Sequence, residues 1–277
     1  DQDTLWVGTD FGAGSLTSSG YPRIVKLWKR GTPLSEAKTI YEGKAEDVAS
    51  VGESEILSDG HYDVVTRTPA FFRQETYLLV KDKLAKVDIP EDAQPRGYFH
   101  GRLLFSLRSD WTPVAGGQTY REGSLLASPV DDLLGGKRRL EVLFEPSARV
   151  SLAEVGRTRD RVLIETLDNV KSRLTALSLE NGAWKRAEIS TPGLGSADLG
   201  AMTDLSETFF FSYEDFTTPE SLWLAENGAG PAKVKTMPAY FDAAGITTLV
   251  FAIFWRTASR ASGTATTPTF GSIVQKG

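Results

Sequence analysis

Short runs of hydrophobic residues recur along the chain at a regular interval. One largely apolar type of run occurs five times, at residues 5–9, 62–66, 103–107, 162–166 and 209–213. A second type follows each of them and begins at Arg23, Glu75, Gly123, Ser172 and Glu220, so successive starts are 52, 48, 49 and 48 residues apart. Self-similarity at a fixed period of this length is the signature of a repeat architecture.

Two further kinds of run complete each repeat. An alternating type covers residues 37–42, 84–89, 140–145, 184–189 and 232–237, and a Gly- and Ala-rich type covers 47–52, 95–99, 150–156, 197–203 and 242–247. Period-two alternation is typical of strands with one buried face. Four strands in roughly 49 residues correspond to one propeller blade. We therefore predict an all-β fold, a β-propeller of about five four-stranded blades whose first blade lacks its inner strand.

The C-terminal tail departs from this repeat. Two strand-like runs, 248–255 and 269–275, flank a stretch at 257–267 that is rich in Thr, Ser and Ala. We predict a strand pair with a flexible loop, which is consistent with a partial sixth sheet. Within the repeats, Trp6, Trp28, Trp184 and Trp223 lie on predicted strands, and we interpret them as packing between blades.

Composition excludes several functional classes. The net charge is −5, so the chain repels phosphate backbones, and we expect no nucleic-acid partner. There is no cysteine, which excludes disulfides and thiolate zinc sites. The most apolar stretch, 249–255, is far shorter than the roughly 20 residues that span a bilayer, and no basic-headed leader precedes the first strand. We expect a soluble protein of the cytoplasm or periplasm, with no membrane contact.

The residues of a serine hydrolase are missing from this sequence. No Gly-x-Ser-x-Gly pentapeptide occurs, and the only histidines, His61 and His100, lie in turn-like contexts. Two distant histidines also make a poor metal site. We therefore assign no catalytic residue, no metal site and no cofactor to this chain.

Carboxylates are the remaining candidates for chemistry. Asp47, Glu154, Asp198 and Asp242 lie on or beside the predicted innermost strands, where they could line a common channel. Five-bladed glycoside hydrolases use such an arrangement, with carboxyl groups roughly 6.5 to 9.5 Å apart in inverting enzymes and about 5 to 5.5 Å apart in retaining ones. Scattered solvated acids are the simpler interpretation, and a protein-binding scaffold is a third possibility for any propeller.

Residues 10–23 (DFGAGSLTSSGYPR) and 26–34 (KLWKRGTPL) are similar to a propeller signature of the prolyl oligopeptidase family of serine peptidases. The resemblance continues through residues 107–111, 125–131, 142–146 and 240–245. It implies a propeller, here residues 1–245, that starts about two blades late relative to the seven-bladed family pattern. Residues 246–277 resemble the start of a hydrolase domain.

The resemblance also implies a role and partners. In this family the propeller caps an α/β-hydrolase domain and gates the access of peptide substrates. We therefore expect a non-catalytic, substrate-gating portion that is truncated at both ends and inactive alone. Its expected partners are its own missing hydrolase domain and, in the parent protein, peptide substrates.

Overall fold

The computed structural model describes residues 3–226 and 230–236. Within these ranges nineteen strands form five antiparallel sheets. Inside each sheet, every strand pairs with the strand that follows it in the chain. The one α-helix in this part of the chain, α1, is a single turn (Val130–Leu134), and a 3-10 turn covers Leu34–Glu36. No helix of the described residues is long and apolar enough to cross a bilayer. The all-β prediction is confirmed.

The sheets are blades 1 to 5 in chain order. Blade 1 has three strands, β1 (Thr4–Val7), β2 (Ile24–Lys29) and β3 (Lys38–Glu42). Blade 2 is β4 (Ala49–Leu57), β5 (Gly60–Ala70), β6 (Arg73–Val80) and β7 (Lys83–Lys86). Blade 3 is β8 (Gln94–Phe99), β9 (Arg102–Ser106), β10 (Leu125–Pro129) and β11 (Glu141–Phe144).

The last two described blades follow the same order. Blade 4 is β12 (Val150–Arg157), β13 (Val162–Asp168), β14 (Lys171–Glu180) and β15 (Ala183–Ile189). Blade 5 is β16 (Ser196–Met202), β17 (Phe209–Glu214), β18 (Ser221–Ala225) and β19 (Ala232–Thr236). The missing inner strand of blade 1 is confirmed among the described residues. The predicted tail strands at 248–255 and 269–275 and their loop lie outside the described residues.

Hydrophobic cores form between the blades rather than within them. Leu163 and Ile164 are consecutive in β13 and both are buried, although neighbouring side chains of a strand point to opposite faces. Leu163 packs in a cluster with Phe211 of blade 5, whereas Ile164 packs in a cluster with Leu125 of blade 3. A third cluster joins blades 2 and 3. Each inner blade is therefore apolar on both faces, which is why the second strands have nearly continuous hydrophobic sequences.

The tryptophans contribute to this packing in different ways. Trp6 lies against β4 of the next blade, and Trp184 stacks on Phe99 of blade 3 with ring centroids 5.7 Å apart. Trp223 packs against the cluster between blades 4 and 5. Trp28 donates to a backbone carbonyl in its own blade. The prediction of blade-to-blade packing therefore holds for three of the four tryptophans.

The propeller has two different ends. At one end, which we call the loop face, the connections between second and third strands meet the loops that join successive blades. The Gln74 N–H donates to the Glu91 carbonyl at 2.6 Å, and the Asn169 N–H donates to the Arg149 carbonyl at 2.8 Å. At the other end, which we call the narrow end, the turns between first and second strands of blades 2 to 5 come together.

Candidate functional site

The first strands of blades 2 to 5 line the centre of the molecule. Small residues on these strands admit side chains from a neighbouring blade: a Cβ on Gly52 would overlap the Trp6 ring of blade 1, and a Cβ on Gly156 would overlap the Met202 side chain of blade 5. Arg157 of β12 reaches across β8 to Glu55 of β4, with Nη2 and Oε1 2.7 Å apart. The first strands of blades 2 and 4 are thereby joined over the strand between them.

Contacts across the ring constrict the narrow end. The Ser58 N–H of blade 2 donates to Asp204 Oδ2 of blade 5 at 2.6 Å, and the Ser58 hydroxyl donates to the Asp204 carbonyl at 2.9 Å. Asp59 accepts a hydrogen bond from the His100 N–H at 2.6 Å. Turns from blades 2, 3 and 5 therefore bond to one another at this end of the channel.

Both histidines lie at this constriction and contact carboxylates. His61 Nε2 is 3.1 Å from Asp63 Oδ1, and His100 Nδ1 is 3.2 Å from Asp59 Oδ2. His100 occupies the turn between β8 and β9 with a φ of 44°. The described polar side-chain partners of the two imidazoles are thus acids, whereas a base for a serine nucleophile needs a hydroxyl within hydrogen-bonding reach.

Asp47 is a buried member of an ion-pair network in the loop before β4. Its side chain is 1% exposed, and Arg67 binds it with two hydrogen bonds of 2.9 and 2.7 Å. Hydrogen bonds from Arg67 hold the pKa of Asp47 below its usual value, with a further contribution from the Lys44 N–H. This geometry gives Asp47 a role in fastening the loop between blades 1 and 2 to β5.

Glu75 extends the network on the opposite side of Arg67. It accepts hydrogen bonds from Arg67 at 2.9 Å, from Lys86 at 2.5 Å and from the Tyr77 hydroxyl at 2.9 Å. Burial opposes ionisation of Glu75, but these bonds outweigh burial and lower its pKa to about 2. Arg67 therefore neutralises two buried carboxylates at once.

Glu154 and Asp198 are exposed residues on the first strands of blades 4 and 5. Both lie close enough to Glu165 on β13 to raise its pKa, although burial of Glu165 is the larger cause. The Leu199 N–H donates to Glu165 Oε2 at 3.3 Å. The structure thus brings two of the four candidate carboxylates together around a third, Glu165, that the sequence analysis did not identify.

The other two candidates do not join this group. Asp47 is held by Arg67 as described, and Asp242 lies outside the described residues. Across residues 3–226 and 230–236, no group of three or more His, Asp and Glu side chains is arranged to hold a metal ion. A signal for Glu165 does exist in the sequence, because it is the one charged residue in the otherwise uncharged run 162–166.

Comparison with known proteins identifies the family. The family described as "Prolyl oligopeptidase, N-terminal beta-propeller domain" matches residues 1–235. The chain belongs to this family. The match covers all five described blades, so the fold expectation from the sequence resemblance is confirmed, while the predicted boundary at residue 245 stays a prediction.

Relatives of this propeller are much longer proteins. The chain is 30% identical over 257 residues to "Uncharacterized peptidase y4nA" of Sinorhizobium fredii, which covers 89% of this chain and 35% of that protein. A solved post-proline cleaving enzyme from Rickettsia typhi superposes with a TM-score of 0.79 at 26% identity over 88% of this chain and 37% of its own. Oligopeptidase B from Trypanosoma brucei, at 14% identity and a TM-score of 0.60, shares the fold. This chain therefore spans about a third of the length of these relatives.

Proposed function

We propose that this chain is the non-catalytic propeller of a larger serine peptidase, where it gates the access of peptides to a catalytic hydrolase domain. The observation that carries the proposal is the family match over residues 1–235, together with relatives that are named peptidases and are about three times as long. The chain itself has no Gly-x-Ser-x-Gly motif. Peptide hydrolysis in the parent is therefore assigned to residues outside this chain.

The loop face is the proposed docking surface for the hydrolase domain. Every described blade exposes a large apolar side chain there, namely Tyr21, Phe71, Val114, Val170 and Phe216 in blades 1 to 5. Their exposures range from 57% to 84%. Exposed apolar surface of this kind marks an interaction site in soluble proteins. The remaining two thirds of a relative's length supplies a partner domain to cover it.

The constricted narrow end supports the gating role. The turns of blades 2 and 5 bond through Ser58 and Asp204 and therefore lie across the channel on that side. A short, extended peptide needs a much smaller opening than a folded domain. We infer that the propeller excludes folded proteins from the catalytic domain and admits short peptides.

The test uses a fluorophosphonate probe, which labels activated serines, on the isolated chain and on the product of the complete reading frame around it. We expect no labelled serine within residues 1–277 and stoichiometric labelling of one serine outside them. Proline-containing peptides should be hydrolysed only by the longer protein. A labelled serine within this chain would refute the proposal.

The same preparation tests the glycoside hydrolase alternative. Glu154 and Asp198 are exposed and near each other, but no described observation assigns them a sugar. We expect the isolated chain to leave aryl glycosides intact. Turnover that is lost in Asp198→Asn would instead support a glycosidase.

A further inference from the structure

A cavity of about 300 Å³ lies between blades 2 and 3 and opens at the channel wall. Its mouth is formed by the first strands of both blades, with Glu53 and Glu55 on β4 and Gly97 on β8. Its deeper wall includes Thr76 on β6, the third strand of blade 2. Because neighbouring strands lie about 4.8 Å apart, the cavity extends roughly 9 to 10 Å from β4 toward β6, away from the centre of the molecule.

Two residues that line this cavity carry buried hydroxyl groups without a hydrogen-bond partner among the described residues. They belong to Thr76 and Tyr98, and each residue is 3% exposed. Most buried polar groups in folded proteins are hydrogen-bonded, because leaving one unpaired is costly. Tyr98 is fixed in place by stacking on Tyr62, with ring centroids 3.9 Å apart. Both hydroxyls therefore lack a partner, and stacking holds the Tyr98 ring in place beside the cavity.

The cavity wall is negatively charged. Glu55 is paired with Arg157, whereas Glu53 forms no ion pair or hydrogen bond with any residue in the described part of the chain. Apart from Arg157, which reaches Gly97 and Glu55 at the mouth, no basic residue of the described chain lies at the cavity, and its remaining polar groups are the amides of Gln74 and Gln94 and the Thr66 hydroxyl. The wall thus offers carboxylate, hydroxyl and amide oxygens, all of which accept hydrogen bonds.

We propose that this inter-blade cavity binds the side chain of an arginine in a peptide that occupies the channel. The guanidinium group carries five N–H donors in a planar fork, which suits a wall of acceptors with one unpaired carboxylate. Val64 and Leu103 provide an apolar surface for the aliphatic stem.

The assignment of this arginine to a peptide rests on the proposed function. The binding of a cationic group in the cavity does not depend on that function. The experiment therefore titrates N-acetyl-L-arginine amide into the full 277-residue chain and measures binding by isothermal titration calorimetry. N-acetyl-L-citrulline amide, which has the same shape without the charge, is the matched probe. We expect saturable binding of the arginine probe, and binding of the citrulline probe that is weaker by at least about tenfold, as charge-assisted hydrogen bonds imply.

Three variants locate the site. Glu53→Gln removes the unpaired charge, and Thr76→Val and Tyr98→Phe each remove one hydroxyl at nearly constant shape. We expect each variant to bind the arginine probe more weakly, with the largest loss, about tenfold, in Glu53→Gln. Glu46→Gln changes an exposed carboxylate in the loop between β3 and β4 and should bind like the original chain.

Equal binding of the two probes, or unchanged arginine binding in Glu53→Gln, would overturn the proposal. So would unchanged binding in both hydroxyl variants, which would indicate that the probe binds without contacting the two hydroxyls inside the cavity. Glu53 is exposed and the hydroxyl variants keep the side-chain shape, so loss of folding does not confound the result. Probe binding and fluorophosphonate labelling are separate measurements, and failure of one leaves the other interpretable.

Discussion

At the residue scale, the most consequential side chain in the described structure is Arg67. It lies between Asp47 and Glu75, both buried, and is within 2.9 Å of each. Removing one partner of a buried ion pair leaves an uncompensated charge, which is strongly destabilising. We predict that Arg67→Ala lowers the free energy of unfolding by about 3 kcal/mol, measured by urea denaturation.

Arg173→Ala is the matched control for this substitution. Arg173 also contacts two carboxylates, Asp168 and Glu188, but it is 51% exposed. Exposed ion pairs are worth only about 0 to 1 kcal/mol. Equal destabilisation by the two substitutions would contradict the structural role assigned to Arg67.

The same network makes a prediction about acid. The pKa of Glu75 is about 2 in the folded chain and about 4.5 when unfolded, so ionised Glu75 stabilises the fold above the unfolded value. That stability is lost as the pH falls from about 4.5 toward about 2. In Glu75→Gln this part of the acid sensitivity should disappear, as measured by urea denaturation at a series of pH values. A midpoint profile identical to that of the original chain would contradict the prediction.

Glu165 should show the opposite pH dependence. Its pKa is raised by burial and by the nearby carboxylates, so its ionised form destabilises the fold and stability falls as the pH rises past the usual value. We predict that Glu165→Gln, which keeps an acceptor for the Leu199 N–H, is more stable than the original chain at pH 7. Glu180→Gln, an exposed carboxylate of the same blade, should change little. A less stable Glu165→Gln variant would refute this interpretation.

These residues show where sequence reasoning stops. Asp47 was a channel candidate because of its place before an inner strand. In the structure it instead forms a buried ion pair with Arg67, which lies twenty residues further on. The residues next to Asp47 in the sequence do not indicate that Arg67 is its partner. Glu165 was missed because its run of residues is typical of a buried strand. Pairing across strands and blades, which a single sequence does not display, decides both environments.

At the element scale, the strands themselves could be predicted well. The repeat placed all five blades, including the three-stranded first one, because alternation and period arise from local burial. The bounds were less accurate: β5 extends from Gly60 to Ala70, beyond the predicted 62–66, because pairing with β4 and β6 continues the ladder into the turns. Hydrogen bonding between strands, rather than residue preference, sets those ends.

The first strand of blade 2 offers a test of blade packing. Gly52 lies against Trp6 and Val25 of blade 1, and a Cβ at this position would be 2.6 Å from Val25 Cγ1. We predict that Gly52→Ala lowers the free energy of unfolding by about 1 to 3 kcal/mol, as overpacking usually does, with reduced Trp6 burial in fluorescence. Gly230→Ala, where an added Cβ would have no atom of the described residues within 4 Å, should be nearly neutral. Tolerance of Gly52→Ala would mean that the blades separate easily.

At the scale of the whole molecule, the blades follow from the repeat, but the contact between blades 2 and 5 does not. The bonds between Ser58 and Asp204 join residues 146 positions apart, and no sequence pattern marks either residue. The inter-blade cavity is equally invisible, because its walls come from different blades. Sequence periodicity therefore predicts the building units, while the channel and its sites depend on how the units meet.

The loop face gives the last prediction, because its apolar side chains should make the isolated chain associate with itself. Phe71 and Phe216 are each 79% exposed, so replacing both with serine removes little buried surface and should leave the thermal midpoint unchanged. We predict that the double variant stays monomeric at concentrations where the original chain associates in sedimentation experiments. Ile56→Ser alters a residue that is 71% exposed on the strand leading to the narrow end and is the matched control. If Ile56→Ser weakened association as much as the double variant, contacts at the loop face would not be the cause, and the hydrolase domain would need another docking surface.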